Sequence, residues 1–180
     1  MADDVNVREW AIGVFVLAEV VEDEDIPARL GDCGEDLSVG SLSGPDEPFG
    51  ALYFQRPSDD PERALRDVIG ALTGAYGEDA VLGVDPELID VSGVAGDLGV
   101  TREAVRHWAD GRRGPGRFPQ PVGTVGKGQR VWRWYDVLEW VRRNGLGDSE
   151  GDHPIPTHIL LKVDAEIQAR RAAKAETAAA

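Results

Sequence analysis

Apolar and polar positions alternate with two different periods along this chain, and each period marks a different kind of element. Residues 10–21 (WAIGVFVLAEVV) form a run rich in β-branched and aromatic side chains, which predicts a central strand. The acidic run Glu22, Asp23, Glu24 and Asp25 then predicts a short helix reaching about Asp32, with Pro27 in its first turn and Gly31 near its end. Residues 37–42 (LSVGSL) alternate as a strand does, residues 43–48 read as a turn, and residues 49–55 (FGALYFQ) read as another strand. Asp60 and Pro61 open a helix whose Leu65, Val68, Ile69 and Leu72 share one face, and Gly74 to Gly77 close it. Residues 80–84 (AVLGV) predict a last short strand.

The order β-α-β-β-α-β is that of a split βαβ unit, so the reading for residues 1–87 is an α+β, ferredoxin-like sandwich. Residues 85–90 read as a link into a second domain over residues 88–147. There the spacing predicts a helix over 91–98 capped by Ser92, a turn at Gly99, and Val100 plugging the angle between two helices. Thr101 caps the second helix, Ala104, Val105 and Trp108 form its apolar side, and Asp110 with Gly111 stops it. A Gly/Pro/Arg loop (GRRGPGRFPQP) follows. Strands at 121–125 and 130–134 are joined by Gly126, Lys127, Gly128 and Gln129, and Asp136 opens a helix over 137–144. Trp132 or Trp134 is expected to face a core with Trp108, Trp140 and Val137. Residues 148–180 read as the rest of a Gly/Pro/Asp linker and a helix from Thr157 to about Lys174, with residues 172–180 frayed. Ile159, Leu160, Val163 and Ile167 lie on one side of that helix, which either pairs two copies in a homodimer or packs back on its own chain.

Charge sharpens this division. The chain of 180 residues carries a net −14, unevenly spread. Residues 1–89 hold five Arg/Lys against 21 Asp/Glu, a net −16, whereas residues 90–147 hold ten against six, a net +4. Phosphate attraction acts within a Debye length, roughly 8–10 Å at physiological salt, so a local basic surface counts even on an acidic protein. Cys33 is the single cysteine, which excludes an internal disulfide and suits a reducing compartment. The N-terminus is acidic and no apolar run approaches the roughly 20 residues of a membrane span, so a cytoplasmic protein with no membrane contact is expected.

Candidate chemistry is concentrated in the basic window. Thr101, Arg102, Glu103, Arg106 and His107 fall on the exposed side of the second helix, where base edges are read in helix-turn-helix proteins. Either Arg102 or Arg106 can bind guanine in a bidentate manner, and Glu103 either accepts from cytosine or pairs with a neighbouring arginine. Arg112, Arg113 and Arg117 suit phosphates, and Lys127, Gln129 and Arg130 form the tip of a hairpin wing. Elsewhere little points to chemistry. The run 22–25 lacks the spaced ligands of a calcium loop and reads as a solvated helix start, His153 and His158 do not make a zinc set, and Cys33 has no basic neighbour. No cofactor or metal is implied, and no set of nucleophile, base and orienting group indicates an enzyme.

The stretch LGVTREAVRHWADGRRGPGRFPQPVGTVGKGQRVWRWYDVLEWV resembles the winged helix-turn-helix of the MerR superfamily and phage excisionases, in its short actinobacterial form. The resemblance covers residues 91–144 and rests on three coinciding features: the helix-turn-helix, the GRRGPGRFP loop and the VWRW strand before a helix. It implies sequence-specific binding of double-stranded DNA by recognition helix and wing, in a transcriptional regulator or an excisionase-like accessory factor. Full MerR regulators carry a long dimerisation helix and an effector domain after the reader; here the extra domain precedes it. That first domain is expected to hold a protein partner or a small ligand. The alternative is a protein-interaction adaptor whose acidic half binds a basic partner, the winged fold being a scaffold.

Overall fold

The longest pairing in the molecule joins strands β1 (Arg8–Leu17) and β3 (Phe49–Ser58), antiparallel from Arg8↔Ser58 to Leu17↔Phe49. The structure is a computed structural model that describes residues 7–40, 49–146 and 153–178. The fold is α+β with two sheets, and the chain divides into two units: residues 1–85 with 152–180, and residues 86–151.

In the first unit the sheet runs β2-β3-β1-β4, with β2 at Leu37–Val39 and β4 at Val81–Val84, and every neighbouring pair in that order is antiparallel. The remaining strand, β8 (His153–Pro154), pairs parallel with Trp10 and Ala11. One side of β1 is filled by β3, so β8 and β4 share the other. Trp10, Ile12, Val14 and Val16 alternate into a core shared with Leu65, Val68 and Leu72 of α3 (Pro61–Tyr76). Asp60 caps α3 as its sequence predicts, its carboxylate accepting the amides of Glu62 and Arg63 at 2.8 and 3.3 Å.

Three expectations for this unit need correction. The strand ends at Leu17, and Ala18–Val21 forms a helical turn, α1, because Val20 reaches the core without the chain staying extended. The helix predicted over 22–32 shrinks to α2 (Ile26–Leu30) followed by a 3-10 turn. Asp23 is no solvated charge: it accepts the Asp25 amide at 2.9 Å and the Tyr76 hydroxyl at 2.9 Å, and pairs with Arg29 at 2.6 Å. These bonds hold its carboxyl below the usual range, while burial and the adjoining Asp23 push the Tyr76 phenol up to about 12. The turn expected over 43–48 lies outside the described residues.

The C-terminal helix α7 (Thr157–Ala178) belongs to this unit and is longer than expected, continuing through most of the stretch predicted to fray. Ile159, Leu160, Val163 and Ile167 are buried in its core, so they pack back on their own chain and are not offered to a second copy. Polar contacts fasten it too. Arg66 of α3 bridges Glu62 and Glu166 at 2.8 and 2.9 Å, and Lys162 reaches Glu62 at 2.8 Å. At the β4 edge, Asp164 accepts the Val84 amide at 3.0 Å and Gln168 donates to the Leu82 carbonyl at 2.8 Å. Gly83 between them leaves the room, since a Cβ there would stand 2.8 Å from Asp164 Oδ1.

The ion pairs make acid sensitivity predictable. Lys162 and Arg66 hold Glu62, and Arg66 holds Glu166, below the ordinary glutamate range. A carboxylate with a depressed folded-state pKa stabilises fully above its unfolded value, and that contribution is lost as pH falls through the folded value. Thermal unfolding followed between pH 6 and pH 3 should therefore show a falling midpoint on the acid side, and Arg66→Met should flatten that fall. An equal slope in both proteins would contradict the assignment.

The second unit contains β5 (Leu88–Asp90), α4 (Val91–Asp97), α5 (Arg102–Ala109), β6 (Gly123–Val125), β7 (Gln129–Arg133) and α6 (Trp134–Arg143). Its antiparallel sheet runs β5-β7-β6. The predicted link over 85–90 thus supplies a strand, and its last residue, Asp90, caps α4 in place of Ser92 by accepting the amides of Ser92 and Gly93, both at 2.8 Å. The helix expected from Val137 starts at Trp134 and ends at Arg143. Among the described residues no helix is long and apolar enough to cross a membrane.

Candidate nucleic-acid interface

Helices α4 and α5 meet at Gly99, whose φ of 62° suits glycine, and the Val100 amide bonds to the Ala95 carbonyl at 2.9 Å. Val100 packs on a core of Val94, Ala95, Val105, Phe118, Trp132, Val137, Trp140 and Val141. Thr101 begins α5, its hydroxyl accepting the Ala104 amide at 3.1 Å. Val105 is buried and Trp108 is packed against the core, so α5 is seated by one side and exposes Arg102, Glu103 and Arg106 on the other.

Those exposed residues are not equivalent. Arg102 has no ion-pair partner among the described residues. Glu103 lies 2.9 Å from His107 and 3.7 Å from Arg106, all on the same helix, so it serves its neighbours, one of the two roles open to it from sequence. His107 is half-buried, and its carbonyl accepts the amides of Arg112 and Arg113 at 2.9 and 3.4 Å, which starts the following loop.

That loop is pinned from inside. Phe118 is buried, edge-on to Trp132 and Trp140 with ring centroids 5.6 and 4.9 Å away, and close to Trp108. Trp132 donates its indole N–H to the Pro119 carbonyl at 3.0 Å, and Trp140 donates to the Gly116 carbonyl at 2.8 Å. Gly114 lies against Trp108, where a Cβ would come within 2.5 Å of the ring. A stretch rich in glycine is thereby fixed, and it carries Arg112, Arg113 and Arg117 exposed on its outer side. Arg112 is 3.7 Å from Asp110, while Arg113 and Arg117 have no ion-pair partner among the described residues. Neither the buried Phe118 nor the two indole anchors was expected from the sequence. The available signal was one aromatic residue isolated in a run of Gly, Pro and Arg.

The hairpin holds one correction. Lys127 stands at its turn, between Gly126 and Gly128, both of positive φ, and has no ion-pair partner among the described residues. Gln129 is exposed but already belongs to β7, opposite Val125. Arg130, expected at the tip, folds back: it pairs with Asp110 at 2.9 Å and lies over the Trp132 ring at 5.7 Å. It ties the hairpin to the end of α5 and leaves the tip to Lys127 and Gln129. Two further arginines, Arg142 and Arg143, are paired with Glu139 on α6.

Among the described residues of this unit, Arg102, Arg113, Arg117 and Lys127 remain as exposed cations with no ion-pair partner, on three segments fastened to one aromatic core; Arg133 of β7 also makes no ion pair but is half-buried. Among the described residues no cluster of three His, Cys, Asp or Glu is placed to hold a metal. No protein-family model matches this chain, and no curated protein or solved structure matches it either.

Proposed function

We propose that the second unit is a winged helix-turn-helix reader of double-stranded DNA, in a cytoplasmic regulator or an excisionase-like accessory factor. α5 is the recognition helix, with Arg102 and Arg106 at base edges; the loop 111–117 and the turn at Lys127 meet phosphates. The observation that carries this reading is the set of unneutralised cations at Arg102, Arg113, Arg117 and Lys127. Among the described residues no carboxylate pairs with them, although acidic residues are abundant in the chain. The link from Arg130 to Asp110 supports it further, since it fixes the base of the wing against the helix. The strand order β2-β3-β1-β4 supports a ferredoxin-like first unit, which in this reading holds a protein partner or a small ligand.

The test is duplex binding across salt. Four phosphate contacts give a log–log slope of about −3.6, so affinity for a pool of genomic duplexes should fall on the order of 100-fold between 50 and 200 mM salt. A chain that retains no duplex at 50 mM salt would overturn the reading.

A further inference from the structure

Between Gly111 and Arg117 the backbone enters the left-handed region four times, at Gly111 (φ 66°), Gly114 (92°), Gly116 (79°) and Arg117 (54°). Glycine meets that requirement without steric cost. At the fourth position an arginine does so, with its Cβ crowded against the backbone. Among the described residues Glu87 is the only other non-glycine with positive φ.

The surroundings leave Arg117 no room to relax. On one side the Gly116 carbonyl is held by the Trp140 indole at 2.8 Å, and on the other Phe118 is locked among tryptophan rings. The guanidinium, by contrast, does nothing for the fold: it is exposed and makes no hydrogen bond or ion pair among the described residues. Strained backbone that persists under such restraint, with a side chain the fold does not use, is characteristic of binding sites.

We propose that Arg117 is an affinity-determining phosphate contact, kept in a conformation that glycine would adopt more readily, and that Trp140 is its positioning residue. The proposal rests on the duplex-DNA reading above. Guanidinium pairs bidentately with phosphate oxygens, and a contact to the backbone is blind to sequence. Arg117 therefore adds to affinity on every duplex and to selectivity on none.

The experiment compares the full wild-type chain with Arg117→Gly, Arg117→Ala and Trp140→Phe, measuring thermal unfolding and binding to a selected and an unrelated duplex over a salt series. Arg117→Gly should unfold at or above the wild-type temperature, because relief of the left-handed strain offsets the added freedom of the unfolded chain. Its affinity should fall about tenfold on both duplexes, the size of one charge-assisted contact, and its salt slope should become shallower by about 0.9. Arg117→Ala should lose the same affinity without gaining stability, since alanine keeps the Cβ. Trp140→Phe keeps a ring in the cluster and loses the indole donor, so its salt slope should shift towards that of Arg117→Gly. Wild-type affinity and slope in Arg117→Gly, or a lowered unfolding temperature, would remove the proposal and leave the duplex reading standing. Absence of duplex binding by the wild-type chain would remove both.

Discussion

Replacing Trp132 with alanine should unfold the second unit while the first stays folded. The Trp132 side chain is 0% exposed, meets Phe118 edge-on at 5.6 Å and anchors the Pro119 carbonyl at 3.0 Å. Arg130, which joins the hairpin to α5, also lies over its ring. Truncating a buried tryptophan costs about 3–5 kcal/mol through lost transfer energy and the cavity left behind. A domain spanning residues 86–151 has a total stability of only about 3–10 kcal/mol at roughly 0.05–0.15 kcal/mol per residue. The first unit has a separate core around Trp10, Leu65 and Val163, to which Trp132 does not belong. Amide spectra should therefore lose dispersion for residues 88–144 and keep it for β1 and β3. Trp132→Phe is a milder change that keeps an aromatic ring but loses the bond to Pro119 and part of the buried surface, so it should cost less than alanine, with about 1–3 kcal/mol of the loss due to the orphaned carbonyl. A native spectrum for Trp132→Ala would mean that the loop and hairpin are held by something other than this cluster.

The second large effect concerns selectivity. Arg102→Ala combined with Arg106→Ala should abolish preference for the selected duplex over a scrambled one. Each bidentate contact to guanine discriminates by about 1–3 kcal/mol, so the pair accounts for a preference of roughly 30-fold to more than 10,000-fold. Residual binding should persist through the loop and Lys127, because phosphate contacts carry no sequence information. Both side chains are exposed and neither is in the core, so the fold should survive. Lys127→Ala is the control: it should weaken both duplexes alike. A double variant that still prefers its site would place base reading on residues outside α5.

How much of this could be read from the sequence depended on the range of the forces involved. α3 was legible because its cap at Asp60 and its apolar face at Leu65, Val68, Ile69 and Leu72 are local signals. The turn at Gly99 and the Thr101 cap were legible for the same reason. The strand at 88–90 was not, since three residues extend only because β7, some forty positions later, pairs with them. Arg130 misled for a related reason. Its place beside the turn suggested the tip, yet Asp110, twenty positions earlier, and Trp132, two residues on along the same strand face, draw it back. The return of α7 to the first unit also depends on contacts between distant segments, visible only once Arg66 is seen to reach Glu166.

The side chains that α7 extends to β4 have a consequence for anyone who shortens this protein. Asp164 supplies an acceptor and Gln168 a donor where an adjoining strand would otherwise have supplied both, so the helix stands in for a missing neighbour. Removing the polypeptide beyond residue 156 would leave the Val84 amide and the Leu82 carbonyl as an adhesive rim, ready to recruit another molecule's backbone. The terminal helix thus covers that rim besides filling the core with Ile159, Leu160, Val163 and Ile167, and a fragment that omits it loses both and should clump although its strands are all present.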